Sequence, residues 1–150
     1  MIQSRHSARS LALQELYSET LLENVDSSKK DLFSFLTDEE RAEYDESIIV
    51  YATYLVEIVK ENKTDIDAKI LTYSRGRSID RISIVDLSIL RLSIATLLFD
   101  KSTHPNIVID EAVKLSREFS NEVSYRFING VLDAFVKSHI NSDNQDGGKK

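Results

Sequence analysis

The sequence predicts an all-α fold, a compact bundle of about seven helices, and three observations lead there. Four glycines and one proline are all that interrupt 150 residues, and Gly147 and Gly148 stand at the C-terminal end, so most of the chain lacks helix breakers. Apolar side chains recur at intervals of three and four rather than two, the spacing that puts them on one face of a helix. Residues that cap helices stand where several of those runs begin.

Taken in order, residues 4–23 place Ala8, Leu11, Ala12 and Leu16 on one helical face. Leu32, Phe33, Phe35 and Leu36 form a short apolar cluster, and Thr37 with Glu40 has the spacing of a capping box. A short helix and then a long one follow, the helical stretch running over residues 38–63, with Ile48, Ala52, Leu55, Val56 and Val59 as its buried stripe. Thr64, three residues before Asp67, is expected to cap a shorter helix that carries Ile66, Ile70 and Leu71 and ends near residues 74–76. After Ser83, residues 84–99 are apolar on nearly every face, which marks a central helix surrounded by others. Pro105 suits the first turn of the next helix, where Val108, Ala112, Leu115 and Phe119 share a face. Ser124 is expected to cap the last helix, running to Ile140 with Phe127, Ile128, Val131, Leu132 and Phe135. Residues 141–150 are polar and read as a disordered tail, which leaves residues 1–140 as a single domain.

Composition excludes several classes of function. A chain of 150 residues can bury about 70% of the surface its unfolded form exposes, enough for a real core. No stretch approaches the roughly 20 apolar residues that span a bilayer, and Arg5, His6 and Arg9 stand where a secretory core would lie, so a cytoplasmic protein without a membrane segment is expected. The absence of cysteine rules out disulfides and thiolate metal sites. His6, His104 and His139 have no metal-ligand spacing, no glycine-rich phosphate loop or nucleophile elbow is present, and the many carboxylates read as solvated helix faces. Neither an enzyme nor a metal or other cofactor is expected. A net charge of −6 argues against general coating of nucleic acid, so any RNA site must be local.

The first helix offers such a site. Arg5 and Arg9 are one turn apart, and His6, Ser10, Gln14 and Tyr17 follow one another along a neighbouring strip. Guanidiniums can meet phosphates, while Gln14 and Tyr17 supply hydrogen bonding and an aromatic plane for an unstacked base. Periodicity alone leaves a second reading open, in which the arginines are ordinary solvated residues and Tyr17 packs in the core. Phe119, at the exit of its helix into a polar turn, is likewise either core or exposed for stacking. Gly130, at a mid-helix position that disfavours glycine, is read as a point where another helix passes close. Arg91, Asn129 and Asp133 are read as buried polar groups that tie helices together.

Residues 4–17, SRHSARSLALQELY, resemble the opening of the NusB transcription antitermination factors, an arginine-rich segment followed by a QxLY signature. Residues 83–98 (SIVDLSILRLSIATLL), 105–119 (PNIVIDEAVKLSREF) and 124–135 (SYRFINGVLDAF) resemble the closing helices of that family in order and spacing. Residues 26–72 match mainly in helix pattern. The resemblance implies a helical adaptor that makes and breaks no bond, pairs with ribosomal protein S10 (NusE), and with it binds the boxA element of leader RNA within an RNA polymerase antitermination complex. It implies an RNA face of Arg5, His6, Arg9, Gln14 and Tyr17, with Tyr73, Arg75, Arg77 and the loop after Phe119 nearby, and it places Asp86 where the partner and RNA surfaces approach each other. His6 and Ser7 stand where relatives often carry arginine, and Val123 where some carry an acidic residue, so dependence on S10 or on Arg75 and Arg77 should be greater. Two alternatives stay open: a helical interaction module or homodimer that hides its first helix and has no RNA role, and a fragment of a ribosomal RNA cytosine methyltransferase.

Overall fold

In the computed structural model, which describes residues 1–23 and 31–140, the segment Ile84–Phe99 is a helix whose residues from Asp86 to Leu97 are all buried. Five of the other helices pack around it, and no strand element is present among the described residues. In chain order they are α1 (Arg5–Leu21), α2 (Asp38–Ala42), α3 (Glu46–Glu61), α4 (Lys63–Tyr73), α5 (Ile84–Phe99), α6 (Pro105–Phe119) and α7 (Glu122–Phe135), with a single 3-10 turn at Ile79–Arg81. The expected all-α fold is therefore observed. The expected polar tail, residues 141–150, lies outside the described residues.

Helix α5 can be buried on every side because Asp86, Ser88, Arg91 and Thr96 all find hydrogen-bond partners. Ser88 Oγ donates to the Ile84 carbonyl at 2.7 Å and Thr96 Oγ1 to the Leu92 carbonyl at 2.8 Å. Arg91, 5% exposed, grips Asp67 of α4 with two bonds of 2.8 and 2.9 Å and reaches Thr20 of α1 at 3.3 Å. A bidentate guanidinium–carboxylate pair fixes both position and angle, so this contact sets how α4 lies against α5. Arg91 is thus the buried tie its sequence position suggests. The other two differ: Asn129 is half-buried, and Asp133 is exposed and pairs with Lys137 of its own chain end at 3.0 Å.

Caps define most helix starts. Ser4 Oγ accepts from Ser7 N–H at 3.2 Å, and Thr37 and Glu40 form the full reciprocal box, with bonds of 3.1 and 2.9 Å. Pro105 occupies the first turn of α6, where His104 Nδ1 accepts from Asn106 N–H at 3.1 Å.

Three expected boundaries are corrected. The stretch over residues 38–63 is broken after Ala42, because Ile2 N–H donates to the Glu43 carbonyl at 2.6 Å and the Ile2 carbonyl accepts from Asp45 N–H at 2.8 Å. Asp45 then caps α3 through Ser47 N–H at 3.2 Å. Thr64 does not cap α4, since the flanking residue is Asn62, whose amide donates back to the Ile58 carbonyl at 2.8 Å; Asp67, the other half of that pattern, is held by Arg91. Ser124 is inside α7 rather than at its cap, which is Asn121, accepting from Ser124 N–H at 3.0 Å.

Gly130 is also corrected. A Cβ built there meets nothing within 4 Å, so no helix passes close to it. Helix α4 ends where Arg75 and Gly76 adopt φ of 54° and 83°, left-handed values that glycine takes without strain.

Candidate nucleic-acid interface

The basic residues of α1 are brought together, but with carboxylates among them. Arg5 is exposed, its guanidinium 4.4 Å over the ring of Tyr51 on α3. Arg9 is 8% exposed, lies 5.9 Å from the same ring, and pairs with Glu111 of α6 at 3.5 Å. His6 bridges two acids of α6, with Nδ1 2.6 Å from Glu111 and Nε2 2.5 Å from Glu118. Burial pulls the His6 pKa down, yet hydrogen bonds and charge from the two glutamates outweigh it and hold the imidazole above its ordinary value. Burial pushes Glu111 up, and His6, Arg9 and Lys114 more than reverse this, leaving it below the usual carboxylate range. Tyr51 is fixed in turn by donating its hydroxyl to Asp100 at 2.7 Å.

Further along α1, Gln14 donates to the carbonyl and hydroxyl of Ser10, both at 3.2 Å, which lays its amide along its own helix. Gln14 and Tyr17 then form one wall of an apolar groove of about 390 Å³ with Leu13, Ser18, Phe35, Val85 and Phe119. Tyr17 is 36% and Phe119 39% exposed, so both rings present a face to the surface. The alternative that Tyr17 packs in the core does not hold, and Phe119 is not core either.

Phe35 is positioned from below. Phe33, buried at a φ of 62°, donates its N–H to Glu15 Oε1 at 2.8 Å. Burial, then the neighbouring Glu19 carboxyl, raises Glu15 to about 7. The groove wall therefore rests on a carboxyl group whose hold on its proton is strengthened by burial and by Glu19.

Asp86 adjoins Val85 of this groove but is 5% exposed. It accepts from Ser120 Oγ at 3.2 Å, and Ser120 meets Ser124 Oγ at 2.7 Å, so its carboxylate holds the turn between α6 and α7 onto the start of α5.

Tyr73, Arg75 and Arg77 form a separate surface. With Ser74 and four residues of α7, Arg126, Phe127, Gly130 and Val131, they line a cleft of about 420 Å³. Arg77 stacks 4.1 Å over Phe127, and Tyr73 stands edge-on to Phe135 and His139 at 6.0 and 5.5 Å. Sequence reasoning does not bring Arg126 and Phe127 to this cleft. Their signal is faint in sequence: one arginine a turn before a glycine on the same helix face, with the facing turn supplied by another helix.

These features define a helical binding protein with an apolar groove beside a helix whose His6 and Arg9 are paired with acids of α6, and with a separate arginine cleft. A sequence model of the NusB family matches residues 6–137, and the chain belongs to that family. It is 42% identical over 141 residues to the transcription antitermination protein NusB of Leptospira biflexa, covering 91% of this chain and 94% of that one. Among solved structures, T. maritima NusB superposes with a TM-score of 0.81 at 30% identity, covering 93% of this chain and 94% of that chain. The antitermination factors NusB and NusE in complex with double-stranded RNA give a TM-score of 0.77 at 31% identity, over 93% of this chain and 100% of the matched chain. No helix among the described residues is long and apolar enough to cross a membrane.

Proposed function

We infer that this chain is a transcription antitermination factor that pairs with ribosomal protein S10 (NusE) and, as a pair, binds boxA leader RNA in the cytoplasm, supporting transcription of ribosomal RNA operons. It acts as an adaptor and catalyses nothing. The observation that supports this most is the match, over nearly the full length of both chains, to a NusB solved together with NusE and RNA. RNA contacts come from Arg5, His6, Gln14 and Tyr17 on α1, with Arg9 enclosed behind them in its pair with Glu111, from Phe119, and from Tyr73, Arg75 and Arg77 at the end of α4. Asp86 acts on the partner surface through the turn it holds, since its carboxylate is itself enclosed.

The apolar lining of the Tyr17–Phe119 groove favours a second use of those two rings. Leu13, Phe35 and Val85 suit an aliphatic side chain of S10 as well as a base. Titration of labelled boxA RNA with this chain, with S10 and with the mixture tests the proposal, alongside sedimentation of the two proteins. A stable heterodimer that binds boxA at least several-fold more tightly than either chain alone is expected. Two proteins that sediment separately, or a mixture no tighter than its parts, would overturn it.

A further inference from the structure

This inference rests on the RNA-binding reading and concerns the cleft between the end of α4 and α7. The chain is acidic overall, with 25 Asp and Glu against 19 Lys and Arg, yet three arginines line one cleft that no carboxylate lines. Among the described residues, Arg75, Arg77 and Arg126 enter no ion pair, as is true also of Arg5, Arg41, Arg81 and Arg117, but these three share one cleft. Arg77 is held over Phe127, which fixes the plane of its guanidinium and leaves its N–H edge for a ligand. Unneutralised guanidiniums that share one cleft supply the charge that the phosphates of a nucleic-acid backbone need.

Gly130 gives the second, independent observation. It lies within the helix Glu122–Phe135, is exposed, and a Cβ there would meet nothing. Neither close packing nor a left-handed backbone explains it, so a helix-weakening residue stands where alanine would fit. Arg126 lies four residues earlier on the same face, and both line the cleft. A side chain at 130 would rise into the space beside the three guanidiniums.

We propose that Arg126 and Gly130 complete an RNA-backbone site with Arg75 and Arg77, Arg126 binding phosphate and Gly130 leaving the helix surface bare so that the strand lies directly on α7. Helix α7 is then a binding surface for RNA as well as a packing element.

The test uses the full chain paired with S10 and a fluorescein-labelled single-stranded boxA RNA, with Arg41→Gln on α2 as a charge-matched control. Gly130→Ala is expected to raise the melting temperature while weakening RNA binding several-fold, a split that a structural glycine does not produce. Arg126→Gln is expected to weaken binding several-fold and flatten its salt dependence, with melting unchanged. A lower melting temperature for Gly130→Ala would make the glycine structural and overturn its assigned role. Unchanged binding in both variants, while Arg75→Gln and Arg77→Gln bind less, would overturn this inference and leave the RNA-binding reading intact. Failure of the unaltered pair to bind the RNA would overturn that reading, and the inference with it.

Discussion

Arg9 on α1 and Arg126 on α7 are the same residue in opposite surroundings. Arg9 is almost fully enclosed, set between the Tyr51 ring and the carboxylate of Glu111. Arg126 is exposed beside two further arginines, and no acid lines their cleft. A buried guanidinium that already has a carboxylate gains little from a phosphate, because it must give up one ion pair to make another. An unpaired one in water loses only solvent and counterions. The arginine-rich opening of the chain draws attention first, yet the more available charge lies at the far end of the fold.

That contrast can be broken by mutation. The largest effect is expected for Arg9→Ala, which empties a buried site while leaving Glu111 its His6 and Lys114 partners, and should cost about 2 kcal/mol of folding stability in urea unfolding. Arg75→Ala and Arg77→Ala should each stay within about 0.5 kcal/mol of the parent. Equal, small losses at all three positions would remove the distinction. Next in size, Tyr17→Ala should weaken RNA binding by about 1 to 3 kcal/mol if its ring stacks on a base, with the salt dependence unchanged. If S10 affinity falls instead and RNA binding by the preformed pair does not, the groove belongs to the protein partner.

The carboxyl side of the same rule gives a pH effect. Glu15 holds its proton up to about 7 in the folded state against 4.5 in its ordinary state, so the folded chain binds more protons and stability falls as pH rises between those values. Glu15→Gln should flatten that decline, leaving the variant more stable than the parent at pH above 7; parallel melting curves from acid to alkaline pH would refute this. The smallest effect belongs to His6, whose pairing with Glu111 and Glu118 is partly exposed to solvent. Its folded pKa lies above 6.5, so its contribution is full below 6.5 and is lost as pH rises through the folded value. Glu118→Gln should lower the His6 midpoint seen by NMR, and an unmoved midpoint would mean that the bridge is absent in solution.

Local chemistry is legible in the sequence, and non-local chemistry is not. The Thr37–Glu40 box, Pro105, the stripes of α3 and α6 and the all-round burial of α5 follow from spacing alone, because each depends on residues within a few turns. The break before α3 depends on Ile2 pairing its backbone beside Tyr44, which no window around residue 44 contains. Gly130 misleads for the same reason, since the space above a helical glycine is decided by what the other helices leave vacant. The site is split in a similar way. Arg5, His6, Arg9, Gln14 and Tyr17 are visible as a strip, but the acids that pair with His6 lie 105 and 112 residues away on α6. Phe119 meets Tyr17 only through the fold, and Arg126 gains meaning only beside the turn that carries Arg75 and Arg77.

Salt dependence of boxA RNA binding, measured for the chain paired with S10, separates the two sets of arginines most directly. Each phosphate that a variant no longer neutralises on a single strand lowers the slope of log affinity against log salt by about 0.7. Replacing Arg75 and Arg77 together should therefore lower it by about 1.4 with sequence preference retained, while replacing Arg5 and Arg9 should lower it by about 0.7, because Arg9 is held by Glu111. An unchanged slope for the Arg75 and Arg77 double variant, with the full decrease in the Arg5 and Arg9 variant, would contradict the account and return the phosphate-binding role to α1.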